Sequence, residues 1–166
     1  GPAGAYEYIA KTVNPLIADV KAKSTTAGVV DVWILLQNGQ LPGPEILSQV
    51  LEALSADKSR PLTDAVNVNA PDTRIFDIDF TYYIPLPSAA SASMIQQAVM
   101  DAVTEYKKWQ TSKMGRDINP SYLISLLMQT GIKRVELSAP VHTVVPDGKV
   151  AVFGTENIVN GGFEDE

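Results

Sequence analysis

The residues best placed to do chemistry are Asp77 and Asp79, in the run Ile75-Phe76-Asp77-Ile78-Asp79-Phe80-Thr81. An apolar stretch leading into Asp-x-Asp-x-Thr can support phosphoryl transfer. One carboxylate attacks phosphate, the second moves a proton, and Mg²⁺ neutralises the developing charge. That chemistry needs both aspartates in a loop beyond a buried strand. Here Phe80, Tyr82 and Ile84 carry the apolar alternation past them, so Asp77, Asp79 and Thr81 read as the wet face of a continuing antiparallel strand. The residue after Asp79 is Phe80 rather than glycine, and no later Gly-Asp-rich motif supplies metal ligands. A Mg²⁺-dependent phosphatase is therefore kept as the enzyme alternative, and the expectation is that the chain is not an enzyme.

The other chemical candidates are weaker. His142 is the single histidine, in Ala139-Pro140-Val141-His142-Thr143, with no carboxylates clustered in the nearby sequence to complete a zinc site. No Gly-x-Ser-x-Gly elbow exists to make it part of a hydrolytic triad. Neither Gly-x-Gly-x-x-Gly nor a Gly-Lys-Ser/Thr phosphate loop occurs. Trp33, Tyr82, Tyr83, Tyr106 and Trp109 could form a stacking platform, which keeps a small-molecule or sugar-binding α+β module as a third reading. An interface or a second buried layer explains Trp33 and Tyr83 more economically, because strand alternation turns them away from the main apolar set. No catalytic, cofactor-binding or metal-ligating residue is assigned, and no cofactor is expected.

Composition narrows the partners. The chain has 166 residues, a net charge of −6 and no cysteine, which removes disulfides, thiolate metal sites and cysteine nucleophiles together. The densest basic stretch, Lys107, Lys108, Lys113 and Arg116, reads as the solvated end of a helix, where cations suit the dipole. Nucleic acid is not expected as a partner. No apolar run approaches the roughly 20 residues of a membrane span, so a membrane is not expected either. The Gly1-Pro2 start resembles a tag-cleavage scar, and a piece of a longer protein is expected.

The elements that must position these residues follow from periodicity. Tyr6, Ile9, Ala10 and Val13 mark a helix over Gly4 to Val13, stopped by Pro15. Leu16 to Lys23 and Val29 to Leu36 read as strands around Thr26-Ala27-Gly28. Pro44 opens a helix whose stripe is Ile46, Leu47, Val50, Leu51 and Leu54, with Arg60-Pro61 ending that region. Ala65 to Asn69 and Arg74 to Ile84 read as strands around Ala70-Pro71-Asp72. A long helix covers Ala90 to Ser112, with Ile95, Ala98, Val99, Ala102, Val103 and Tyr106 inward. Asn119 caps a further helix with Pro120 at its first position, burying Leu123, Leu126 and Leu127 and ending at Gly131. Ile132 to Ser138 and Lys149 to Gly154 are the last strands, around Pro146-Asp147-Gly148. The acidic stretch from Asn160 to Glu166 reads as a mobile terminus. The order helix, strand, turn, strand appears three times. The fold class is α+β: three helix-strand-strand units, mainly antiparallel sheet with helices packed on a face. Val30, Val32, Ile34 and Leu36 correspond to Phe76, Ile78, Phe80 and Tyr82, and Ile46, Val50 and Leu54 to Ile95, Val99 and Val103, as a distant duplication or convergence on one buildable pattern would produce.

Several ordered motifs resemble one family. Val30-Asp31-Val32-Trp33-Ile34-Leu35-Leu36 is followed by Asn38-Gly39, Leu41-Pro42 and Glu45-Ile46-Leu47. Ser59-Arg60-Pro61-Leu62-Thr63-Asp64 precedes Val66-Asn67-Val68. Gly115-Arg116-Asp117-Ile118-Asn119-Pro120-Ser121-Tyr122-Leu123 precedes Gly131-Ile132-Lys133-Arg134-Val135. With Ala5-Tyr6-Glu7-Tyr8-Ile9-Ala10 upstream, this series resembles the phage baseplate J-like proteins over most of residues 3–155, in their middle and C-terminal parts. The resemblance implies a division into residues 1–25 as the end of the family's middle domain, 26–156 as its C-terminal domain and 157–166 as a mobile acidic tail. It implies a structural component of a contractile-tail baseplate, a wedge protein around the central hub, acting through protein–protein contacts and without catalytic residues. It implies other wedge and hub proteins as partners, a homo-oligomer within the baseplate, and a place in the virion after assembly in the host cytoplasm.

Overall fold

A computed structural model describes residues 2–56 and 64–165 and divides the chain into two units. The first contains residues 1–73, 112–116 and 145–150; the second contains 74–111, 117–144 and 151–166. Residues 59–63 of the Ser59–Asp64 motif, with the Arg60-Pro61 helix stop, lie outside the described residues.

In the first unit, α1 (Pro2–Val13) leads into β1 (Ile17–Thr26) and β2 (Val29–Leu36), an antiparallel pair with Val20 opposite Ile34 and Ala22 opposite Val32. Gly28 turns between them at φ 76°, a conformation glycine adopts without steric penalty. Next comes α2 (Pro44–Ala56), and then β3 (Ala65–Asn69), which lies parallel to β2 with Val66 beside Val30 and Val68 beside Val32. Strand alternation sends Val30, Val32 and Ile34 to one face, where they meet Val50 and Leu54 of α2 and Tyr6 and Ala10 of α1 in one core. Each Val, Ile or Leu side chain among them contributes about 1.5–3 kcal/mol by leaving water. Residues 112–116 and 145–150 complete this unit. The Met114 N–H donates to Asp19 Oδ2 at 2.8 Å, and the Gly115 N–H donates to the Lys149 carbonyl at 3.0 Å.

The second unit is centred on β4 (Asp72–Pro85), with β5 (Arg134–Ala139) on one side and β6 (Lys149–Glu164) on the other. β5 is antiparallel to β4, with Tyr82 opposite Val135 and Tyr83 opposite Arg134. Along β6 the contacts advance in step with β4: Thr155 meets Asp77, Asn157 meets Asp79, and Gly161 lies beside Tyr83. Phe76, Ile78, Phe80, Tyr82 and Ile84 alternate inward and are buried, as are Ile95, Val99, Ala102, Val103 and Tyr106 of α3 (Ala92–Thr111). α4 (Pro120–Met128) starts as its sequence predicts: Asn119 Oδ1 accepts from the N–H groups of Ser121 and Tyr122. A buried polar link ties the end of α3 to that cap. Gln110 receives the Asn119 N–H at 2.9 Å, donates to the Asp117 carbonyl at 2.9 Å, and lies 3.0 Å from the Tyr106 hydroxyl.

The α+β class and the chain order of elements hold. The pairing differs from three local hairpins. β3 and β4 belong to different sheets, so Ala70-Pro71-Asp72 joins two sheets rather than closing a hairpin. β5 and β6 flank β4 instead of pairing with each other. The expected mobile acidic tail is also corrected, because β6 continues to Glu164. Its last residues are held by Arg134, which donates to Glu164 through Nε at 2.8 Å and Nη2 at 2.9 Å.

Candidate interaction surfaces

Asp77 and Asp79 stand on an uninterrupted strand, as their alternation requires. Asp77 Oδ1 accepts from the Thr155 N–H at 2.9 Å and its hydroxyl at 3.1 Å; Asp79 Oδ1 accepts from Asn157 Nδ2 at 3.3 Å. Both carboxylates tie β4 to β6. Gly154 makes this approach possible, since a Cβ there would fall 2.5 Å from Asp77 Oδ1. Among the described residues, no three His, Cys, Asp or Glu side chains are grouped to hold a metal ion. His142 is exposed, with Nε2 3.5 Å from Asp117 Oδ2.

Trp33 and Tyr83, read from sequence as interface residues, and Trp109, read as part of a stacking platform, each have a partner within their own unit. A Cβ at Gly148 would lie 2.7 Å from Trp33 Cε2, so the turn backbone covers that indole. Tyr83 is covered by Gly161 and by the Arg134 guanidinium, 3.9 Å from the ring centroid. Trp109 packs on Tyr122 with centroids 4.2 Å apart. All three are half-buried. Alternation correctly placed Trp33 and Tyr83 off the main core faces, but two glycines and an arginine, remote in sequence, cover them.

Charge reinforces the end of β6. Hydrogen bonds from Arg134, opposed by partial desolvation, hold the Glu164 carboxyl below its usual range, and those from Glu164 and Glu136 hold the Arg134 proton more firmly. Burial pushes the Tyr106 phenol upward against the opposing effect of its contact with the Asn119 carbonyl. The second unit does expose large apolar side chains, including Ile75 at 70% and Val141 at 68%. Sequence reasoning passed over both. The available signal was that Ile75 breaks the wet-face pattern of Asp77 and Asp79, and that Val141 lies between Pro140 and the exposed His142. No helix among the described residues is long and apolar enough to cross a membrane.

Residues 1–70 match the Baseplate J-like central domain, and residues 78–158 match the Baseplate J-like protein C-terminal domain. The chain belongs to the baseplate J-like family. Within it, Baseplate protein J of Escherichia phage P2 is 30% identical over 168 residues, covering 99% of this chain and 54% of that protein. The chain thus spans about half the length of this relative. In the cryo-EM structure of the anti-feeding prophage baseplate, 6-fold symmetrised, one chain matches with a TM-score of 0.58 at 16% identity. The match covers 90% of this chain and 36% of that one, and shows a shared fold. The family's two domains meet between residues 70 and 78, where β4 begins, and not at the 25/26 boundary expected from sequence.

Proposed function

We propose that the chain is part of a structural protein of a contractile-tail baseplate, acting through protein–protein contacts rather than catalysis. The observation that carries this reading is the succession of both family domains along one chain, with a Baseplate protein J relative aligned over 99% of it. The site geometry favours the same reading: the best catalytic candidates, Asp77 and Asp79, each use one carboxylate oxygen as a cross-strand acceptor. On this reading the protein is a wedge component around the central hub. It contacts other wedge and hub proteins, recurs as copies within one baseplate, and resides in the virion after assembly in the host cytoplasm. The test is genetic and structural. Removing the gene from a strain that produces the tail should yield particles without complete baseplates by electron microscopy, and the restored gene should return them. Complete baseplates in particles lacking the protein would overturn the proposal.

A further inference from the structure

The two outer strands of the second sheet cover β4 unequally. β4 has 14 residues and β5 only six. Their ladder stops at the Asp79–Ala139 pair, and beyond it the chain leaves the sheet at Pro140. The first part of β4, Arg74 to Asp77, is therefore open on the β5 side. Its main-chain orientation can be deduced. Lys133 N–H donates to the Tyr83 carbonyl at 2.7 Å, so Tyr83 turns its polar backbone groups toward the β5 side. Backbone groups alternate between edges along a strand, which puts those of Thr81, Asp79, Asp77 and Ile75 on that edge too. The neighbouring residue agrees: the Phe76 carbonyl turns the other way, toward Gly154 of β6. Ile75 and Asp77 thus present N–H and C=O groups to a gap that β5 does not reach.

That gap is a pocket of about 270 Å³ whose apolar walls include Phe76, Ile118, Pro140 and Val141. Its far wall is fixed, because Ile118 and Thr143 exchange two main-chain hydrogen bonds of 2.9 and 3.2 Å. The volume is below the range of drug-sized ligand sites and suits a single large side chain. An open strand edge beside an apolar pocket is the geometry by which sheets accept an added strand: the main chain supplies affinity and the pocket supplies specificity. Charge adds a further constraint. Arg74 and Asp77 both line the pocket, but the Asp77 carboxylate already accepts two hydrogen bonds from Thr155. Arg74 makes no ion pair among the described residues, so it is the charge an incoming segment would meet.

We propose that the β4 edge at Ile75–Asp77 is a strand-acceptor slot for an extended segment of another baseplate protein, carrying a large apolar side chain beside a carboxylate. The source of the segment rests on the baseplate reading above; the open edge does not. About four residues, near 13 Å of extended chain, would fill it.

Two measurements separate the slot from that reading. In the isolated chain, the Ile75 and Asp77 amides should exchange with deuterium at least tenfold faster than the Phe76 amide. Protection of Ile75 and Asp77 in isolation would overturn the slot whatever the protein does. In assembled tail particles, a photo-crosslinking amino acid replacing Val141 should join the protein to a different baseplate protein, at an extended segment bearing the stated side chains. Ile75→Pro removes the N–H that the slot would offer to an incoming strand, on an edge that β5 does not pair, so the isolated variant should keep its circular dichroism spectrum while the crosslink falls at least tenfold. An undiminished crosslink, a crosslink to a second copy of this chain, or none in particles that contain the protein, would overturn the proposal. Absence of the protein from the particles would overturn both readings.

Discussion

At the scale of single residues, carboxylates decide what this surface does. Asp77 could be a nucleophile only if its oxygens were free to approach phosphate, and one of them already receives two hydrogen bonds from Thr155. Asp77→Ala should therefore leave the rate of phosphate-ester hydrolysis in Mg²⁺ at the buffer background, the same as for the unaltered chain. Mg²⁺-dependent turnover that disappears in the variant would refute the structural reading. The aspartates' role on a wet strand was legible in the sequence, because the alternation of Phe76, Ile78, Phe80 and Tyr82 runs through them. Glu164 was not legible, since its partner Arg134 lies on a different strand. Its carboxyl is held below its ordinary 4.5, so its contribution is present above that value and is lost as pH falls through the lower folded-state value. Deuterium exchange at Phe163 and Glu164 should then accelerate once pH falls below the ordinary carboxylate value of 4.5 and through the lowered one, beyond the change in intrinsic rate. Glu164→Gln should remove that pH dependence. An acid response unchanged in the variant would show that Arg134 does not hold the end of β6 through this charge.

At the scale of elements, the sequence was most informative where a segment's own pattern settles its state. β2 and β3 have the limits their alternation indicates, α2 starts at Pro44, and α4 starts behind Asn119. The proposed correspondence of the two strand-helix pairs also survives in burial: Val30, Val32 and Ile34 are core, like Phe76, Ile78 and Phe80, and Val50 and Leu54 are core, like Val99 and Val103. Pairing was less legible, because alternation says which face a residue takes and not which strand lies beside it. β6 shows this most clearly. In its second half, Asn157, Asn160, Gly161 and Gly162 interrupt the strand formers Ile158, Val159 and Phe163, so its order rests on β4 and on the Arg134–Glu164 pair. Where pattern and packing agree, the energetic expectation is direct. Leu54 is fully buried between α2 and the first sheet, so Leu54→Ala should cost about 2–5 kcal/mol in urea denaturation. An unchanged midpoint would mean that α2 packs by a different face.

At the scale of the whole molecule, the family's domain boundary and the physical units do not coincide. The central-domain match ends at residue 70, but the first unit also needs residues 112–116 and 145–150. These later pieces do specific work. Met114 supplies the N–H that Asp19 accepts, and the turn at Gly148 lies against Trp33. Gly148 sits at φ 77°, with no room for a Cβ beside the indole, so the turn is fitted to that residue. A fragment containing only residues 1–73 would keep α1, α2 and the three-stranded sheet, but Trp33 would lose this cover and Asp19 its main-chain donor. Trp33 is then a reporter for both effects, provided Trp109 of the second unit is changed to phenylalanine in the whole chain. The fragment should unfold at a lower urea concentration than the Trp109→Phe chain followed by the same fluorescence. Before unfolding, its emission should already lie at longer wavelength. Equal midpoints and equal emission would show that the two later segments contribute nothing to the first unit, and that the family boundary near residue 70 is also the boundary of an independently complete fold.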